Sequence, residues 1–304
     1  MLAVSSTRRD LNIEVPEFPT ELALKQPGLV AASIIKDPVV GPLVIKDLQH
    51  SLTLLEVPEP EKLTAAIVTS LSAKTPRIDV ARHLLTPHRE AFYAAFQGRS
   101  LKLAAAIAPE ISETNAFSRG SNMLFDWGTG DTQVAAAVKN LFQELTVQGG
   151  DVIIYHGGQP LVPFFEIKRN KVPSLPSHQQ KIITANYVLH HEAHTNQVFD
   201  EFERLLNRTG RAIVTELIPC GSNEREIMED RKRLWFSDFM YCVVWHKGDK
   251  IPMPGNYRTV ADWSEQASES GFKLVSARQI NGTPLIYCNP VAGRQVMVFE
   301  KTKE

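Results

Sequence analysis

The chain is poor in cysteine, in charge imbalance and in long apolar runs, and each shortage excludes something. Its three cysteines, Cys220, Cys242 and Cys288, form no CxxC pair. That removes a disulfide framework and fits reduced thiols in a cytosolic protein, so a cytoplasmic location is expected. Lys and Arg number 33 against 34 for Asp and Glu, a net charge of −1; the basic surplus of a general nucleic-acid binder is missing. No run is apolar for long enough to span a membrane, so no membrane partner is expected. There is no internal repeat of the kind that builds solenoids. The opening MLAVSSTRRD, with two serines and two arginines, reads as a frayed tail rather than a targeting peptide.

What is present is a chain of 304 residues, 43% hydrophobic, enough for one large domain or a domain plus an appendage. Residues 1–87 are rich in Pro and Leu, and Pro16, Pro19, Pro27, Pro38, Pro42, Pro58, Pro60 and Pro76 cut them into short helical units. PEKLTAAIVTSLSA predicts a helix from Pro60 with Leu63, Ile67, Val68 and Leu71 on one side. HREAFYAAFQGRSLKLAAAIAPEI predicts two helices broken at Gly98.

From Asn122 the texture changes to strand and helix in alternation. NMLFDWG is an apolar strand running into TQVAAAVKNLFQEL; Gly149 and Gly150 then read as punctuation before a strand DVIIY. KIITANYVL is the next strand, and TNQVFDEFERLLNRTG an amphipathic helix capped by Thr195 and ended by Gly210. RAIVTELI, KLVSARQI and RQVMVFEK are strands; TVADWSEQASESGF is a helix with Thr259 as its cap. Such alternation predicts a mostly parallel sheet covered on both faces, with ligands at the carboxyl ends of its strands.

Two stretches carry candidate chemistry. FDWGTGDTQ places Asp126, Gly128 and Gly130 between a strand and a helix, where glycine permits a tight turn and close approach of a ligand to the main chain. The third glycine of the dinucleotide fingerprint is replaced by Thr132, and the strand that follows, read to Tyr155 and His156, ends in no acid. ANYVLHHEAHTNQ gathers His190, His191 and His194. HHEAH lacks the His-Glu-x-x-His order of zinc proteases, and no cysteine cluster adds ligands, so no metal is expected. The DRKR run at 230–233 reads as a solvated helix face or as a hold on an anionic substrate. Glu216 ends its strand and reads as a loop cap.

Taken together, MLFDWGTGDTQ, ANYVLHHEAHTNQVFDEFERLLNRTGRAIVTELIP and GNYRTVADWSEQASESGFKLVSARQI resemble, in order and spacing, the successive motifs of class I S-adenosylmethionine-dependent methyltransferases. The resemblance covers residues 88–304 and implies a Rossmann-like domain there: a seven-stranded, mostly parallel sheet with an antiparallel last strand and helices on both faces. The mainly helical residues 1–87 would serve as a lid, an acceptor-binding element or a homodimer contact. It implies S-adenosyl-L-methionine as cofactor, held by Asp126, Trp127, Gly128, Gly130 and Asp131, with Tyr155 or His156 where the ribose acid stands and Ala185 and Asn186 beneath. In one O-methyltransferase branch the histidine of Leu-His-Asp-Trp is a catalytic base. His190 holds that position, so His190 and His191 are the candidates here. RLWFSDFMYCVVW offers Trp235, Phe236, Phe239 and Met240 at helical spacing, as a core face or as the wall of an acceptor pocket.

The acceptor is expected to be a small molecule, methylated on oxygen or nitrogen. An RNA methyltransferase acting on a cap or ribosomal RNA is the second reading, although the strand ending VTELIP lacks the lysine that a 2′-hydroxyl enzyme needs. A non-catalytic scaffold or activator is the third, favoured by the absent ribose acid and third glycine.

Overall fold

The computed structural model describes residues 18–95, 98–117, 121–152, 159–245, 251–280 and 292–302. Eleven α-helices are described: α1 (Thr20–Lys25), α2 (Pro27–Lys36), α3 (Val40–Leu54), α4 (Pro60–Leu71), α5 (Ile78–Leu85), α6 (Arg89–Ala95), α7 (Arg99–Phe117), α8 (Gln133–Leu141), α9 (Thr195–Leu205), α10 (Glu224–Asp238) and α11 (Val260–Glu269). The strands are β1 (Met123–Trp127), β2 (Thr146–Asp151), β3 (Phe164–Glu166), β4 (Gln180–Asn186), β5 (Leu206–Pro219), β6 (Phe272–Gln279) and β7 (Ala292–Lys301). They form one sheet in the order β3-β2-β1-β4-β5-β7-β6. β1 to β5 run parallel, and β7 is antiparallel to both β5 and β6. The expected seven-stranded, mostly parallel Rossmann-like sheet, with its antiparallel last strand and a helical N-terminal region, is present.

Alternate side chains of each central strand enter different cores, as a sheet covered on both faces requires. Leu124, Ile182, Ile213, Val296 and Val298 pack with Leu103, Ile107 and Ile111 of α7 and Val138 of α8. Phe125, Ile183, Val214, Met297 and Phe299 pack with Val198, Phe199 and Phe202 of α9 and Trp263 of α11. A third core joins the N-terminal helices to the rest: Val30, Ile34, Val44, Leu48, Ile67 and Leu71 lie against Trp235, Phe236, Phe239 and Met240.

Several local expectations hold. Gly98, at φ +72, separates α6 from α7. Pro60 opens α4, where proline sacrifices no helical hydrogen bond, and Ile67 and Leu71 are its buried side. Thr259 and Asp262 form a capping box at α11.

Others are corrected. Thr195 is the first helical residue of α9 rather than its cap; His194 stands at the cap position without a side-chain bond. Gly210 lies inside β5, where a Cβ would approach the Gln180 and Lys181 carbonyl oxygens to 3.0 Å. The 230–233 run is neither a free face nor an anion hold. Asp230 accepts from the Cys220 and Gly221 amides, Arg231 pairs with Asp262, Lys232 with Asp37 and Arg233 with Asp47. These bonds fasten α10 to the N-terminal helical region, to α11 and to the residues after β5. Among the described residues no single helix is long and apolar enough to cross a membrane.

The most consequential correction concerns β2. The described strand is TVQGGD, and Gly149 and Gly150 lie within it, opposite Asp126 and Trp127 of β1; of the expected DVIIY, Asp151 ends this strand, Val152 follows it, and residues 153–155 lie outside the described residues. They are small because of crowding: a Cβ at Gly149 would stand 2.8 Å from the Thr129 side chain, and one at Gly150 2.5 Å from the Phe125 ring. The strand therefore ends at Asp151, an acid. Tyr155 and His156 lie outside the described residues.

Candidate active site

β1 has β2 on one side and β4 on the other, so chain progression reverses there, and in such sheets ligands bind outside the carboxyl ends of the strands at that reversal. The loop after β1 is shaped by three residues in the left-handed region. Gly128 (φ +67) passes so close to Val188 that a Cβ would stand 2.2 Å from Cγ2. Its amide and that of Thr129 donate to the Gly150 carbonyl at 2.8 and 3.0 Å. Gly130 (φ +55) has nothing within 4 Å of where a Cβ would be, so open space lies on that side of its main chain. Thr132 takes φ +62 in the place of the third glycine, and its Oγ1 accepts from the Leu161 amide at 2.8 Å. The glycine-like conformation survives there on a β-branched residue, which costs backbone strain.

Carboxylates ring this loop. The Asp126 side chain is buried, and its Oδ1 accepts from Thr184 Oγ1 at 2.6 Å and from Asn186 Nδ2 at 3.1 Å. Burial pushes its pKa up to about 6; the Thr184 and Asn186 bonds oppose the rise, and the neighbouring Asp151 charge adds to it. Asp151 accepts from the Gly130 amide at 2.8 Å and the Val152 amide at 2.7 Å. Glu192, half-buried, is lifted to about 7 by burial and by the Asp151 charge. Asn186 Oδ1 is buried with no hydrogen-bond partner among the described residues. Asp131 is exposed and accepts from the Gln133 amide at the start of α8. Ala185 is fully buried beside Trp127. Trp127 itself packs edge-on to Phe202 of α9, at 5.3 Å between ring centroids, so its ring serves the core rather than the loop.

Beyond β4 a short 3-10 turn, Leu189–His191, carries the two candidate histidines. His190 is 3% exposed. Its Nδ1 lies 2.6 Å from Glu216 Oε2 and its Nε2 3.0 Å from Asp238 Oδ2. The Tyr257 ring stacks on it at 5.0 Å, and the Tyr257 hydroxyl donates to Asp238. Burial alone would lower the His190 pKa, but the Glu216 and Asp238 charges outweigh it and lift it to about 10. Asp238, despite burial, is held below the usual carboxylate range by His190. Glu216 also accepts from the Val188 and Leu189 amides at 3.1 and 2.7 Å. It fixes the turn as well as the ring, a larger task than capping a loop. His191 behaves oppositely: burial and the adjacent His190 cation lower it to about 4. Its Nδ1 donates to the Pro252 carbonyl at 2.9 Å, which leaves Nε2 with the lone pair.

The arrangement brings Asp126, Gly128, Gly130, Ala185 and Asn186 together and sets His190 and His191 beside them. It places Trp235, Phe236, Phe239 and Met240 at 0–3% exposure in the core shared with the N-terminal helices. Trp235 and Phe239 stack on each other at 5.4 Å, and Trp235 Nε1 donates to the Met253 carbonyl. They are core rather than a wall facing an acceptor. Sequence reasoning missed Asp151, Glu192, Asp238 and Tyr257. The first was legible had the glycine pair been assigned to the strand. The late GNYRT segment contains Tyr257, whose partners could not be read from its spacing.

Among solved structures the chain is similar to the carbon methyltransferase CurJ, at 14% identity over 91% of this chain and 71% of that one, with a TM-score of 0.47. It is similar to the trans-methyltransferase CalH in complex with SAH, at 13% identity over 92% of each chain and a TM-score of 0.44. A third is the 1,6-didemethyltoxoflavin-N1-methyltransferase of Burkholderia thailandensis, with 1,6-didemethyltoxoflavin and S-adenosylhomocysteine bound, at 16% identity over 71% and 87% of the two chains and a TM-score of 0.44. No family model and no curated protein matches the sequence. At such identities the likeness is one of fold, and the argument for the site rests on its own residues.

Proposed function

We propose that the chain is an S-adenosylmethionine-dependent methyltransferase acting on a small molecule. The observation that carries the reading is the open space beside the Gly130 main chain, with Asp126, Asp151 and the unpartnered Asn186 Oδ1 at the adjoining strand ends. An acid at the end of the second strand suits the ribose hydroxyls of a nucleoside. Its presence as Asp151 removes the main ground for a non-catalytic scaffold. The carboxylates Asp126, Asp151 and Glu192 also suit a ligand bearing positive charge, since a cation beside them favours their ionised forms. The cofactor, when bound, supplies an electrophilic methyl group on a sulfonium.

The chain's own contribution is alignment, exclusion of water and management of the acceptor's proton. Gly128 and Gly130 shape the cradle, Asp151 would hold the ribose, and Ala185 and Asn186 would lie beneath. His190, protonated and committed on both nitrogens, has no lone pair to take a proton. Of the two expected bases His191 is the one whose Nε2 is available. Residues 1–87 are read as a cover over the acceptor side, since their helices share a core with α10, whose last residue is Asp238. Calorimetric titration with S-adenosylmethionine tests the reading. Saturable binding that is lost in Asp151→Ala supports it, and no heat at millimolar cofactor would sink it. Transfer that is insensitive to salt would favour the small-molecule acceptor over RNA.

A further inference from the structure

We infer that His190, His191 and Asp238 form a binding site for one divalent cation of the zinc class, on the acceptor side. Each residue offers a ligand atom, and the three atoms lie within 4.8 Å of one another. His190 Nε2 and Asp238 Oδ2 are 3.0 Å apart, close to the edge of about 3.3 Å spanned by two donors on a tetrahedral ion with bonds near 2.0 Å. In the cation-free protein the Nε2 proton of His190 bridges that edge; the ion takes its place.

The surroundings are those of ligating histidines. A metal-bound imidazole gives its other N–H to a carboxylate or carbonyl, which fixes the ring and its tautomer. Both rings have such a partner: His190 Nδ1 has Glu216 at 2.6 Å, and His191 Nδ1 has the Pro252 carbonyl at 2.9 Å. Glu216 is itself held by two backbone amides, and Asp238 by the Tyr257 hydroxyl. The ligands stand on fixed elements, the 3-10 turn after β4 and the end of α10. Asp238 was invisible to a search for local ligand spacing because it comes from a different helix.

Two imidazoles and one carboxylate are a donor set suited to zinc, with a fourth position left for water or a substrate oxygen. His191 is half-buried, which gives an ion a route in. The site itself does not depend on the proposed methyl transfer. Its consequence does: a cation there lowers the pKa of an acceptor hydroxyl, and His191 acts through the ion rather than as a free base.

The test is titration of Zn2+ into the full-length, chelator-treated chain by calorimetry, with Co2+ absorption as a second readout. Expected is uptake of about one ion per chain, a tetrahedral cobalt spectrum, and weakening on the order of 100-fold in His191→Ala and Asp238→Asn. Glu216→Gln, outside the ligand set, should weaken binding roughly 10- to 100-fold. A folded parent chain that takes up no ion at millimolar Zn2+, or uptake unchanged in both ligand variants, overturns the site. Should a variant fail to fold, the cobalt spectrum of the parent decides, an octahedral spectrum or none counting against it. S-adenosylhomocysteine binding is measured on the same samples. Cofactor binding without metal uptake leaves the proposed function standing and removes the site; metal uptake without cofactor binding does the reverse.

Discussion

Asp126→Asn isolates what the buried carboxylate costs the fold and what it contributes to binding. Asp126 is 2% exposed, and burial lifts its pKa from 3.8 to about 6. For an acid, a raised folded-state value means that the folded chain keeps its proton while the unfolded chain has lost it. Stability is therefore unaffected below pH 4, falls as pH rises from about 4 to 6, and stays reduced above that. The reduction is about 3 kcal/mol, taking ~1.4 kcal/mol for each tenfold change. Thr184 and Asn186 both donate to Oδ1, an oxygen that an asparagine retains. The cofactor-free variant should thus match its parent in urea denaturation near pH 4 and exceed it at pH 8, by up to about 3 kcal/mol. With S-adenosylhomocysteine present the order should reverse, because the variant gains less from the ligand. A variant less stable than its parent at pH 8 without ligand, with the same pH slope, would refute the reasoning.

Gly128→Ala and Gly130→Ala should separate structure from ligand space. The first drives a Cβ to 2.2 Å from Val188 and should cost at least about 2 kcal/mol in chemical denaturation. The second meets open space and should cost only about 1 kcal/mol of left-handed strain, yet lower S-adenosylhomocysteine affinity by more than that in calorimetry. His190→Ala strands Glu216 and Asp238 as unpaired buried acids, so roughly 3–5 kcal/mol of stability should be lost; a fully stable variant would contradict the ion-pair geometry. Thr259→Ala removes the capping box of α11 and should lower stability by about 1 kcal/mol without altering cofactor affinity.

Strands β1, β4, β5, β6 and β7, helices α4, α8, α9 and α11 and the β1 loop were legible because each rests on a local signal: apolar strands, helical periodicity, and glycine where φ is positive; the three-residue β3 carries no such run and was not read. Legibility failed where a residue's reason was tertiary. Gly149 and Gly150 resemble a turn in the sequence, but they are small because Thr129 and Phe125 crowd a strand, and that one misreading hid Asp151. The four residues from Trp235 to Met240 have the pattern of any apolar helix face; only the N-terminal helices packed on them decide that the face is core. His190 was visible as a residue but not as an ion. Its protonation depends on Glu216 and Asp238, which β5 and α10 bring to it from elsewhere in the chain.

A crystal structure with S-adenosylhomocysteine tests the central claim most directly. The account predicts the ligand across the bare main chain of Gly130, with its ribose hydroxyls on the Asp151 carboxylate and its body over Ala185 and Asn186. A ligand seated elsewhere, or an Asp151 carboxylate with no ligand oxygen in reach, would contradict it.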